Sequence, residues 1–134
     1  GMEIGVLVPN NSIRVKIINY LNKDLSEGVV QSFPSSDKSV SAGSAAKELI
    51  FDTPGHVSVL NFKSAKGLEF DAVFVIDPGN IYQQNSVELE VKMTLYVMCS
   101  RAREFLNIML VRNDSADAIL KWIPSQANNE KEEL

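Results

Sequence analysis

Apolar and polar positions alternate along this chain in two rhythms, short unbroken apolar runs and stretches with a helical repeat. Ile4–Val8 is a short apolar run closed by Pro9, Asn10 and Asn11, which reads as a strand and a turn. Ile13, Ile17, Ile18, Leu21 and Leu25 then recur at helical spacing, predicting a helix capped by Asn11 or Ser12 and closed by Gly28. Residues 29–33 suggest a second strand. Residues 34–46, rich in Ser, Ala and Gly without periodicity, suggest a surface loop, and 47–51 fit either helix or strand. Residues 57–62 and 72–76 are apolar and β-branched, as in strands buried on both faces of a parallel sheet. The second of these ends in the turn signal Asp77-Pro78-Gly79. Between 86 and 103, Val87, Val91, Leu95 and Met98 fall at helical spacing. A strand at 105–111, a short helix at 116–123 and a polar, acidic tail that frays complete the reading.

Strands alternating with helices imply an α/β domain over residues 1–124, a mainly parallel sheet flanked by helices, with 125–134 as the tail. Ligands of such sheets gather at the C-terminal ends of the strands, so both chemistry-bearing segments are expected near strand or helix ends.

Composition narrows the function classes. A chain of 134 residues supports one core, and 45% hydrophobic with 22% charged residues is an ordinary globular balance. No apolar run approaches a membrane span, and no leader of the secretory type is legible; Gly1-Met2 reads as a tag remnant. The single cysteine, Cys99, excludes an internal disulfide framework, fits a reducing cytoplasm and sits where a packing role is expected. With one histidine and one cysteine, no His/Cys metal site is expected. His56 reads as a surface-turn residue, Phe33 and Trp122 as core or edge aromatics, and Glu88 and Glu90 as a solvated face. A net charge of -4 and a pI of about 5.0 count against a free-standing nucleic-acid binder, but not against a domain adding a few contacts beside a more basic neighbour.

The most informative segment is VSVLNFKSAKGLEFDAVFVID, residues 57–77, in which two apolar strands bracket Lys63, Ser64, Lys66, Gly67 and Glu69. A glycine there lets backbone approach a ligand closely, although the same charges could decorate an ordinary solvated loop. SAKGLEFDAVFV resembles motif V of the UvrD/Rep/PcrA superfamily 1 helicases. The resemblance implies that Glu69 contacts the nucleotide ribose, that Lys66 and Gly67 shape the loop beside ATP, and that Asn61, Lys63 and Ser64 face DNA. Asn61 and Lys63 stand where the family has threonine and histidine, and both can donate to phosphate.

A second segment, LYVMCSRAREFL at 95–106, is similar to motif VI of the same helicases. Alone, Arg101 and Arg103 could be helix-end charges complementing the dipole. The resemblance implies that Arg101 is an arginine finger, its guanidinium fork suited to charge developing on a transferring phosphoryl group, and that Arg103 is a structural ion-pair or DNA-side residue. Residues 4–14, IGVLVPNNSIR, occupy the place of motif IV: Asn10 matches its asparagine and joins the DNA-facing group, Arg14 lies one turn into the helix, and Val8 replaces its phosphate-contacting arginine.

Taken together, the resemblance implies a three-layer RecA-like fold, the C-terminal (2A) motor domain of an ATP-dependent DNA helicase or translocase. The chain has no G-x-x-x-x-G-K-[ST] loop and no strand ending in paired Asp-Glu. ATP with Mg2+ would therefore be held mainly by a separate N-terminal RecA-like domain, and the isolated chain would hydrolyse nothing. The short interval between the motif IV and motif V regions leaves no room for the large insertion of UvrD and Rep. Implied partners are that N-terminal domain and single-stranded DNA, with no membrane. Val8 and Lys63 motivate an alternative: a helicase-like module that binds protein or nucleic acid without catalysis.

Overall fold

A computed structural model of the chain describes residues 2–32, 55–84 and 87–123. The apolar runs form the strands β1 (Ile4–Val8), β2 (Val30–Ser32), β3 (Val57–Asn61), β4 (Phe70–Ile76) and β5 (Ala102–Met109), in the spatial order β2-β3-β1-β4-β5, and every pairing is parallel. The helices are α1 (Asn11–Asp24), α2 (Gly79–Gln84), α3 (Glu88–Cys99) and α4 (Asp114–Leu120), with a 3-10 turn at Phe62–Ala65. The expected α/β architecture is thus observed.

Alternation of side chains along the central strands builds two cores. On one face Leu7, Leu60, Val73 and Val75 meet Val91, Leu95 and Met98 of α3, Ile81 of α2 and Ile119 of α4. On the other, Val6, Val8, Val57 and Val59 meet Ile13, Ile17, Ile18 and Leu21 of α1. All five residues of β3 are buried, which is why its sequence reads as a continuous apolar run rather than an alternating one.

The structure departs from the sequence expectations at element ends. Asn10, rather than Asn11 or Ser12, caps α1: it is extended, and its Oδ1 accepts from the Ile13 N–H at 2.9 Å. The helix stops at Asp24 because Leu25 turns extended; Gly28 (φ +84°) serves a turn beyond it, where the Val29 N–H donates to the Ser26 carbonyl. Asp77, at φ 46°, bends the chain out of β4, and α2 follows directly where only a turn was expected. α4 starts at Asp114, with Asn113 Oδ1 accepting from Ala116 N–H. β5 begins at Ala102, three residues earlier than its apolar pattern suggests. The Phe70 N–H donates to the Arg101 carbonyl at 2.8 Å, and a register shift between Phe70 and Ala72 absorbs the extra residue. The expectations for 33–54 and for the tail from 124 onward lie outside the described residues.

Gly5 shows how closely the strand ends are packed. A Cβ there would sit 2.5 Å from Cδ2 of Phe70, whose ring is 4% exposed and hemmed in by the core. Gly5→Ala is therefore expected to destabilise the domain by about 1–3 kcal/mol through overpacking, read as a lower midpoint in urea unfolding at constant m-value.

Candidate functional site

Glu69 and Arg101 are brought side by side by strand register. Phe70 of β4 pairs with Ala102 of β5, so the residues preceding them are neighbours at the N-terminal edge of the sheet. Two local features deliver them. Gly67 adopts φ +84° between the 3-10 turn and β4, a conformation strained for other residues, and nothing lies within 4 Å of where its Cβ would be. The Leu68 N–H donates back to Ala65 at 3.1 Å, tightening the turn, while Lys66 and Gly67 stay exposed. On the other strand, α3 carries the chain back across the sheet and releases it at Ser100. There Arg101 Nε donates to the Val97 carbonyl at 2.9 Å and Nη2 to Ser100 Oγ at 3.2 Å. The guanidinium is half-buried at a helix C-terminus, where the dipole favours a cation.

Arg103, two residues on, meets three carboxylates from two chain segments: Glu3 Oε2 at 3.0 Å, Asp71 Oδ1 at 3.3 Å and Glu69 Oε2 at 3.6 Å. Of the roles implied for Arg103, the structural ion pair is the one the geometry displays. The Glu3 N–H donates to Asp71 Oδ2 at 2.9 Å, and that bond first, with the Arg103 guanidinium, holds the Asp71 carboxyl below the usual range against an opposing desolvation effect. These groups face solvent, so the cluster fixes geometry more than it stabilises the fold. Glu69 has the longest of the three contacts and a 61% exposed side chain, so its carboxylate remains within reach of a ligand.

The residues assigned to DNA lie at the opposite edge, where β1 and β3 end. Asn61 closes β3 and is 8% exposed; its Nδ2 donates to Asn11 Oδ1 at 2.8 Å. Asn10 caps α1 with its Oδ1, which leaves its amide N–H groups as the donors it can present. Lys63 is exposed on the 3-10 turn and Ser64 beside it is half-buried. Arg14 reaches Asn11 Oδ1 at 3.4 Å and Ser32 Oγ at 3.0 Å, tying α1 to the end of β2.

The predicted residues therefore form two groups at the two ends of the sheet, joined by the stretch 62–69. Both segments lie beside strand or helix ends as expected, with Asn10, Asn61, Lys63 and Ser64 at or just beyond the C-terminal ends of β1 and β3 and Glu69 and Arg101 at the N-terminal ends of β4 and β5. A helix antiparallel to its strands ends where they begin, and Arg101 follows such a helix. Sequence reading gave no role to Glu3 or Asp71, because nothing local signals a partner 100 or 32 residues away. Asn11, a cap candidate by its sequence, instead accepts from Asn61.

Cys99 is half-buried and burial pushes its thiol up to about 11, the mark of a packing cysteine rather than a nucleophile. Among the described residues no cluster of three or more His, Cys, Asp or Glu is arranged to hold a metal, and no helix is long and apolar enough to cross a membrane.

Comparison with known proteins points the same way. The model of the UvrD-like helicase C-terminal domain matches residues 56–109, from the start of β3 to the end of β5. A protein of Acanthamoeba polyphaga mimivirus named as a putative ATP-dependent DNA helicase is 31% identical over 90 residues, 62% of this chain but 12% of the viral protein. The crystal structure of the C-terminal domain of a possible DNA helicase from Lactobacillus plantarum WCFS1 superposes with a TM-score of 0.53 at 22% identity, over 82% of this chain and 56% of that one. That likeness concerns the fold, and the parallel five-stranded sheet flanked by helices matches a RecA-like domain. The region that resembles the UvrD-like helicase C-terminal domain therefore contains β3, the 62–69 connection, α3 and β5.

Proposed function

We propose that this domain is the second motor lobe of an ATP-dependent DNA helicase or translocase, completing an ATP site built mainly on an N-terminal RecA-like lobe. The observation that carries this reading is the adjacency of Glu69 and Arg101 at one open edge of the sheet. A carboxylate accepts from a ribose hydroxyl and a guanidinium donates to phosphoryl oxygens, so the pair suits the two ends of a nucleoside triphosphate. The chain has neither a phosphate-cradling glycine loop nor paired Asp-Glu at a strand end, so these residues form one wall of a shared site. ATP with Mg2+, when bound, supplies the phosphoanhydride whose hydrolysis drives the motor.

Each side chain then has a defined task. Arg101 stabilises charge on the terminal phosphoryl oxygens, Glu69 orients the ribose, and Lys66 and Gly67 shape the connecting loop. At the far edge Lys63 contributes charge, while Asn61, Ser64 and Asn10 offer donors to the phosphates of single-stranded DNA. Because residues 62–69 link both edges, a displacement of the loop by nucleotide is felt at the DNA-facing turn.

The test is reconstitution with the N-terminal lobe, fused or mixed. DNA-stimulated ATP turnover is expected from the pair and negligible turnover from this chain alone; magnesium-dependent hydrolysis by the pure domain would overturn the shared-site reading. Val8 and Lys63 favour a second reading, a binding module without catalysis. In that case the reconstituted protein binds its ligand with no turnover at all.

A further inference from the structure

Helix α3 is apolar on two faces, and among the described residues only one of them is used by the core. Val91, Leu95 and Met98 are 0–8% exposed against the sheet. Leu89, Met93 and Tyr96 are 66%, 61% and 74% exposed, and their i, i+4, i+7 spacing aligns them in one row. Single exposed apolar residues are ordinary on protein surfaces; three large ones in register along one helix form a continuous strip. Polar groups flank the strip. On one side Lys92 pairs with Glu88 at 2.8 Å and lies 5.1 Å over the Trp122 ring, and on the other Thr94 Oγ1 donates to the Glu90 carbonyl. An apolar centre with a polar rim is the anatomy of a protein interface.

We propose that the Leu89, Met93 and Tyr96 row of α3 is the surface on which the N-terminal motor lobe docks. This deepens the function proposed above and rests on it. The direction of the row commits the occupant: its next position after Tyr96 is Ser100, whose hydroxyl accepts from Arg101 Nη2 at 3.2 Å, so the strip runs directly to the finger residue. A lobe delivering a triphosphate to Arg101 meets the Tyr96 end of the row, and burying the row extends that contact along α3. Nucleic acid is a poor occupant, because the cation beside the row, Lys92, is paired with Glu88 and the chain carries a net charge of -4. Room for such a lobe exists in proteins of this kind, since the chain spans 12% of its viral relative.

The experiment uses the full-length helicase that carries this domain. A thiol-tethered photo-crosslinker is placed by Met93→Cys in a Cys99→Ala background, because the half-buried native thiol could also be labelled. Crosslinks to the N-terminal lobe of the same polypeptide are expected; crosslinks to a second copy, to DNA, or only within this domain would overturn the proposal. Independently, the double variant Met93→Glu/Tyr96→Glu is expected to lower kcat/KM for DNA-stimulated ATP turnover by about tenfold or more, with the unfolding midpoint of this domain unchanged. The apolar exchange Met93→Leu should behave as the parent, and an unaltered kcat/KM in the double glutamate variant also sinks the idea. The two layers fail separately. If crosslinks reach the N-terminal lobe while Arg101→Ala leaves turnover intact, the finger assignment is wrong and the docking surface stands. If Arg101→Ala abolishes turnover but no crosslink reaches that lobe, the docking surface alone is wrong.

Discussion

Arg101→Ala in the reconstituted two-lobe motor is expected to reduce kcat for ATP by about a thousandfold or more, the range of arginine fingers elsewhere, while nucleotide affinity changes by less than about tenfold. The asymmetry follows from when the charge appears. Oxygens of the transferring group gain charge toward the transition state, so a guanidinium placed on them contributes most there and little in the ground state. Arg101→Lys should recover a small part of the loss, because an ammonium keeps the charge but not the bidentate fork. A structural explanation is separable. The contacts of Arg101 with Val97 and Ser100 close one helix end, and losing them costs about 1 kcal/mol, a modest shift in unfolding midpoint. Measured turnover within a few-fold of the parent would remove Arg101 from the chemistry.

Phe70→Ala should be the most damaging core substitution near the site, costing about 3–5 kcal/mol in chemical unfolding. The ring is 4% exposed, belongs to the larger core cluster and covers the space above Gly5 that no side chain fills. A loss of that size is a large share of the 5–15 kcal/mol typical of a domain, so the variant should be partly unfolded at moderate temperature. Combining it with Gly5→Ala offers a sharper check. The added methyl enters the vacated space, so the double variant should lose less than the sum of the singles. Strict additivity would mean that the two positions do not share a packing space. The same ring bears on function: its backbone N–H is bonded to the Arg101 carbonyl and Glu69 precedes it, so loosening Phe70 loosens the edge that presents both groups.

The elements that sequence reading located best are those buried on both faces. β1 has the bounds its apolar run predicts and β3 departs from them by one residue, since burial on two faces demands an unbroken apolar run whatever the neighbours are. The inner row of α3, Val91, Leu95 and Met98, was legible for the same reason. Reading failed where a residue serves two purposes or where the environment is mixed. β5 is an edge strand with Phe105, Leu106 and Met109 exposed, so its pattern does not mark its start. Val87 continues the helical spacing yet is 51% exposed and precedes the helix. Asn10 and Asn11 are both competent caps, and local chemistry does not say which one a folded chain uses for Asn61.

Sequence alone determined the alternation of strands and helices, many of the apolar positions that become core, and the helicase resemblance, because burial periodicity and short motifs are written in neighbouring residues. Tertiary structure decided which groups meet. Strand order and register set Glu69 beside Arg101, gathered Glu3, Glu69 and Asp71 on Arg103, and sent Asn61 to the opposite edge. Those adjacencies depend on pairings between segments tens of residues apart, which local periodicity does not encode.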